Sequence, residues 1–170
     1  MKGNLPPVLD PACGTRACWF DKADPRVLFG DIRQEDVSVT DRTHSADGTR
    51  TIRVAPDQLM DFRELPFLDS SFNLVLFDPP HLLRAGPRSW MRAKYGVLNR
   101  ETWRDDLRAG FAECFRVLKP GGTLIFKWSE VQIPLRDVLE LAAERPLFGH
   151  RTRAAGSTYW VAFLKAEVPA

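Results

Sequence analysis

The chain has 170 residues, 24 of them basic and 22 acidic, for a net charge of +2. That length suits one domain with a sizeable core, and so slight a positive balance gives no general argument for a polyanionic partner. No apolar span is long enough for a membrane and no leader is visible, and the three cysteines are odd in number and lack metal-type spacing. The chain is therefore expected to be cytoplasmic, with reduced thiols, no metal and no membrane contact.

Leu5 to Leu9 is a short apolar run with two prolines, followed by Asp10-Pro11-Ala12-Cys13-Gly14-Thr15-Arg16. This reads as a first strand, a tight turn and a helix start, with Gly14 allowing a ligand close to the backbone. Trp19-Phe20-Asp21-Lys22 come next. Their rings either cover a bound cation or pack a short helix on a sheet. Arg26 to Asp31 reads as the second strand. About twenty residues after a glycine turn, a dinucleotide-type fold places the carboxylate that takes ribose hydroxyls. Asp31 is the candidate, with Glu35 and Asp36 next in line because strand ends shift by a few residues.

Residues 37–54 break the alternation. Val-Ser-Val-Thr, Asp47-Gly48 and Thr-Ile-Arg-Val read as a β-hairpin insertion, with His44 on its tip. Ala55-Pro56-Asp57 opens a helical or loop segment that leads to Met60-Asp61-Phe62, where Asp61 is either a cap or a ligand contact.

The centre of the chain is Asn73-Leu74-Val75-Leu76-Phe77-Asp78-Pro79-Pro80-His81. The apolar run reads as a strand buried on both faces. The prolines cannot continue it, because neither has an N–H to donate. Asp78, the Pro79 carbonyl and His81 thus stand at a carboxyl edge, where open parallel sheets bind ligands. The alternative is an ordinary turn with Asp78 as its cap.

A long loop, about 82–102, follows. It carries Arg84, Arg88, Arg92, Lys94 and Arg100, interleaved with Trp90 and Tyr95. Such a mixture suits phosphate contacts and base stacking, or simply a solvated surface. Thr102 then caps a helix whose Leu107, Phe111, Cys114, Phe115 and Leu118 recur at helical spacing and face the core. After Lys119-Pro120-Gly121-Gly122, the run Thr123 to Trp128 is a strand. Its end puts Lys127 and Trp128 beside Asp78, with Lys127 free to meet substrate or to pair with Glu130. Leu135 to Glu144 reads as an amphipathic helix. Arg151 to Arg153, a break at Gly156, and Ser157 to Lys165 read as a closing hairpin, with Arg151 and Arg153 extending a basic rim.

Asp78-Pro79-Pro80-His81 resembles the (D/N/S)PP(Y/F/W) motif of the S-adenosylmethionine-dependent amino methyltransferases, most of which act on adenine N6 or cytosine N4. Asp10-Pro11-Ala12-Cys13-Gly14-x-Arg16 resembles their first motif, DPxCGxG, with Arg16 at the second glycine. Together with Trp19-Phe20-Asp21-Lys22 it is similar to small phage and prophage methyltransferases. Leu65-Pro66-Phe67 before the central strand and Arg116-Val117-Leu118-Lys119-Pro120-Gly121-Gly122 before the next are common in class I methyltransferases.

The resemblance spans Val8 to Lys165 and implies a single α/β domain of the Rossmann-like class I methyltransferase fold. That fold has a mostly parallel seven-stranded sheet, an antiparallel last strand and helices on both faces. It implies S-adenosyl-L-methionine as cofactor, held by Asp10, Pro11, Ala12, Cys13, Gly14, Arg16, Phe20, Asp31, Asp61 and Phe62. Asp78, Pro79, Pro80 and His81 would be catalytic: carboxylate and carbonyl polarise an exocyclic amine while the ring stacks on the base. Arg84, Arg88, Trp90, Arg92, Lys94, Tyr95, Lys127 and Trp128 would meet the substrate, a nucleic acid, DNA ahead of RNA, with adenine N6 as the target. The chain leaves no room for a separate recognition domain, so low sequence specificity or a protein partner is expected. An RNA adenine or other planar-amine methyltransferase and a non-catalytic cofactor-binding subunit stay open.

Overall fold

The computed structural model describes residues 5–42, 45–151 and 157–167. His44, Arg153 and Gly156 lie outside them, so the expected hairpin tip and part of the basic rim are not described. Seven strands form the main sheet: β1 (Val8–Asp10), β2 (Val27–Asp31), β5 (Gln58–Leu59), β6 (Phe72–Phe77), β7 (Leu118–Ser129), β8 (Phe148–Arg151) and β9 (Thr158–Leu164). Their spatial order is β5-β2-β1-β6-β7-β9-β8. From β5 to β7 the pairing is parallel, and β9 runs antiparallel to both β7 and β8. This is the expected mostly parallel sheet with its antiparallel closing strand. Outside this sheet, β3 (Glu35–Thr40) and β4 (Thr49–Val54) pair as a separate antiparallel hairpin.

The core sits between the sheet and α2 (Trp103–Val117). Leu124, Phe126 and Trp128 alternate along β7 and are fully buried. Phe111 of α2 packs on Phe126 at 4.9 Å and on Phe77 at 5.5 Å between ring centroids. Thr102 does not cap α2 through its side chain; its hydroxyl instead donates to Asp106 at 2.8 Å. A shorter helix, α3 (Leu135–Leu139), covers only the first half of the expected span. Val138 of α3 joins the same core.

Residues of these two helices share one core cluster. Among the described residues none between β1 and β2 is helical. Pro11 and Pro25 interrupt the segment, and Gly14 and Arg16 take left-handed backbone at φ 50° and 55°, which a right-handed helix cannot include. Turns replace the helix, and Cys13 and Trp19 from them pack on Val8, Val27 and Phe29. The loop expected at 82–102 contains one more helix, α1 (Trp90–Tyr95), whose Ala93 seats against Val39 and Ile52 of the hairpin. No helix among the described residues is long and apolar enough to cross a membrane.

Candidate active site

Three carboxylates mark the carboxyl edge of the parallel strands. Asp10 ends β1, Asp31 ends β2 and Asp78 follows β6. Asp10 is buried and accepts the Trp19 indole N–H at 2.7 Å and the Ala12 N–H at 3.3 Å. Burial pushes its pKa up to about 7; the Trp19 bond opposes this and the nearby Asp78 charge adds to it. Asp31 accepts the Gly14 N–H at 2.9 Å, and the Arg33 N–H and Nε at 2.9 and 3.3 Å. Asp78 forms an ion pair with Lys127 of β7.

The ion pair opens into a cavity of about 150 Å³ lined by Asp78, His81, Met91, Tyr95, Lys127, Ser129 and Thr158. The chain builds this place from the end of one strand, the next strand and α1. The His81 and Tyr95 rings lie 5.3 Å apart at 50°. Burial pushes the His81 pKa down, with Asp78 opposing and Lys127 adding, so the imidazole is neutral at pH 7. Burial also works against the charge on Lys127, but attraction to Asp78 and the hydrogen bond between them more than offset it and raise its pKa. Gly96, at φ 76°, ends α1 against Pro80, where an added Cβ would come within 3.2 Å of the ring.

Several expected site residues serve elsewhere. Arg16 is not available to a cofactor carboxylate. Its guanidinium donates to the Lys22 carbonyl at 2.5 Å, the Ala55 carbonyl at 2.8 Å and Asp57 at 2.7 Å, and lies over the Phe29 ring. Phe20 points fully into solvent; Trp19 is the ring that turns inward, 5.2 Å from Phe29. Phe62 packs on Phe77 at 5.4 Å and belongs to the core. Asp61 is held by Arg63, which also reaches Asp106. Cys13 is buried, and that burial pushes its thiol up to about 12, out of reach of thiolate chemistry near neutral pH.

Trp128 is likewise a core residue. It stacks on Phe126, and its indole N–H donates to the Ile133 carbonyl at 3.0 Å. Lys127 pairs with Asp78 and not with Glu130, which instead accepts the Tyr159 hydroxyl at 2.6 Å. Arg84, Arg88 and Arg92 are exposed but line neither cavity, whereas Trp90 and Lys94 line a second, larger one. Met91, Arg33 and the hairpin arginines escaped the sequence reading. Only the i, i+4 spacing of Met91 and Tyr95 could have signalled the first.

No protein-family model matches the chain, and no curated protein sequence matches it. Solved structures do. A TehB-like SAM-dependent methyltransferase from Corynebacterium glutamicum superposes with a TM-score of 0.56 at 15% identity, covering 98% of this chain and 83% of that one. A SAM-dependent methyltransferase from Methanosarcina mazei gives a TM-score of 0.52 at 13% identity, covering 95% and 92%. The Burkholderia thailandensis 1,6-didemethyltoxoflavin-N1-methyltransferase, with its substrate and S-adenosylhomocysteine bound, gives 0.53 at 15% identity, covering 94% and 71%. With the observed strand order, these likenesses establish that the chain has the Rossmann-like fold of class I methyltransferases.

Proposed function

We propose that this protein is an S-adenosylmethionine-dependent methyltransferase acting on an exocyclic amino group, adenine N6 in a nucleic acid, DNA ahead of RNA. One observation carries the reading. Asp78 stands at the carboxyl edge of a central strand and lines a small cavity walled by His81 and Tyr95. The fold supports it, as do the methyltransferases that share that fold.

The residues present fit the cofactor chemically. Asp31 is a buried carboxylate at the end of β2, the position from which a dinucleotide-type fold takes ribose hydroxyls. Gly14 keeps the turn after β1 without a side chain: a Cβ there would lie 3.1 Å from the Lys94 carbonyl. When bound, S-adenosylmethionine supplies an electrophilic methyl group.

The protein's part is to prepare the nucleophile. An aromatic amine is weakly nucleophilic because its lone pair is delocalised into the ring. Asp78 and the Pro79 carbonyl accept its two hydrogens and draw the nitrogen toward sp³ geometry, and Asp78 takes the proton shed after transfer. Lys127 holds the Asp78 carboxylate in place through their ion pair. The neutral His81 and Tyr95 supply flat walls for the base, the larger ring coming from α1. A base in a duplex has to flip out to reach this cavity, and fixing it there accounts for much of the rate.

The test is transfer of labelled methyl from S-adenosylmethionine to single-stranded DNA, duplex DNA and RNA, run alongside Asp78→Ala. The expected result is label recovered as N6-methyladenine and lost in the variant. Cofactor binding without label on any nucleic acid overturns the proposal.

A further inference from the structure

The second cavity, about 680 Å³, shares α1 with the first. Two adjacent stripes of that helix divide the work. Trp90 and Lys94, four residues apart, line the large groove; Met91 and Tyr95, also four apart, line the small cavity beside Asp78. On a helix such pairs lie on one face, one above the other. Whatever lies along the groove is therefore one helix width from the amine-polarising group.

The groove is strongly basic. Lys22 comes from the turn after β1, Arg42, Arg50 and Arg53 from the hairpin, and Lys94 from α1, against a single lining carboxylate, Asp41. Two of these arginines make loose ion pairs: Arg50 to Asp41 and Arg53 to Asp36 are both 3.8 Å, with 56% and 75% of the arginine side chains exposed. Trp90, at the same wall, is 49% exposed. The hairpin itself adds nothing to the seven-stranded sheet, being a separate two-stranded unit held to α1 by Val39, Ile52 and Ala93. A cationic ribbon, an exposed ring and a nearby base-sized cavity are the elements of a single-strand binding surface: cations along the backbone, an aromatic face for a base.

We infer that this groove grips the sugar–phosphate backbone of a polynucleotide strand, so that the β3–β4 hairpin is the substrate-holding element of the protein. The inference rests on the methyltransferase reading for the fate of the base, but the grip can be measured without turnover. It assigns to an insertion within the domain the work that a separate recognition domain would do. Contacts to phosphates carry no sequence information, so binding governed by charge and strand form is expected.

Anisotropy titrations of labelled single-stranded DNA, single-stranded RNA of the same sequence and duplex DNA, from about 50 to about 200 mM salt, test it. The comparison is between the full chain, Arg42→Gln/Arg50→Gln/Arg53→Gln and the matching triple lysine variant. For single strands the slope of log K against log salt falls by about 0.7 for each cation lost, so the glutamine variant should flatten it by about 2 and weaken binding at least tenfold. The lysine variant should keep the slope, and Trp90→Ala should weaken binding about tenfold with the slope unchanged. Equal affinity and slope in the glutamine variant and the unaltered chain overturn the inference, as does absence of binding at low salt. Hairpin-dependent binding without methyl transfer sustains this inference and overturns the proposed function. Methyl transfer with hairpin-independent binding does the reverse.

Discussion

Lys127 reaches from β7 to Asp78 at the end of β6, so the carboxylate proposed to polarise the substrate stands in an ion pair whose two side chains are only 17% and 15% exposed. Removing one partner leaves the other nearly buried and uncompensated. Lys127→Met is therefore expected to destabilise the fold by about 2–3 kcal/mol. Asp78→Asn/Lys127→Met is expected to cost less than the sum of the two single changes, because the charges disappear together. Denaturant unfolding of the four proteins measures the coupling. Additive costs would show that the pair contributes nothing.

Asp78→Asn is expected to lower methyl transfer by about 10²–10³-fold while cofactor affinity stays within a few fold. Single-turnover transfer, set beside equilibrium binding of S-adenosylhomocysteine, separates the two effects. A parallel fall in cofactor affinity would assign Asp78 to cofactor binding instead.

Asp10 should make stability depend on pH. Its folded pKa, about 7, lies above the ordinary 3.8. The folded state thus holds a proton that the unfolded state has lost between those values, and stability falls as pH rises through that window. The stability difference between the unaltered protein and Asp10→Asn is expected to shift by up to about 4 kcal/mol from pH 4 to pH 8, in favour of the variant at high pH. Urea midpoints across that range test it. A pH-independent difference would show that Asp10 titrates normally.

Arg33 bridges Asp31, the carboxylate proposed to take the cofactor's ribose, and the Ala93 carbonyl of α1, the latter at 3.1 Å. A ribose bound at Asp31 Oδ1, as proposed, would have to displace this guanidinium. Arg33→Ala is expected to tighten S-adenosylhomocysteine binding by about tenfold, as one charged hydrogen-bond set no longer has to be displaced. Calorimetry reads the change, and weaker binding would make Arg33 a cofactor ligand.

Gly110 on α2 faces Phe62 and Phe77, and a Cβ there would lie 2.7 Å from each ring. Gly110→Ala is expected to cost about 1–3 kcal/mol despite alanine's better helix propensity. A thermal melt at or above the parent's would show that the rings yield.

The sheet was legible because its signals are local. Leu74 to Phe77 before two prolines, and Thr123 to Phe126 after two glycines, leave little choice but buried strands. The site was legible only as far as the backbone carries it. Asp78 and Lys127 were placed at one edge, yet Lys127 and Trp128 were assigned together to the substrate. A period-2 strand cannot do that: Trp128 shares its face with Phe126, under α2, and only Lys127 looks the other way. Arg16 was misread for another reason. Its partner Asp57 lies 41 residues on, and no local pattern reports so distant a contact. Phe20 and Trp19 are adjacent and equally aromatic, and only the position of Asp10 decides which turns inward.

The turns that replace a helix between β1 and β2 bear on how the chain acquires its shape. Local bonds join Arg16 N–H to the Cys13 carbonyl, Trp19 N–H to the Arg16 carbonyl, Ala12 N–H and the Trp19 indole to Asp10, and Arg16 to the Lys22 carbonyl, but residues 11–19 are also fixed by partners far along the chain. Cys13 donates to Gly30, Gly14 to Asp31, and Arg16 to Ala55 and Asp57. A crossover helix could nucleate within its own sequence. This segment has to wait until Asp57 has been brought home, and it carries the loop-closure entropy of that wait. Residues 11–19 should therefore be the last of these segments to gain amide-exchange protection during refolding, behind β6, β7 and β9.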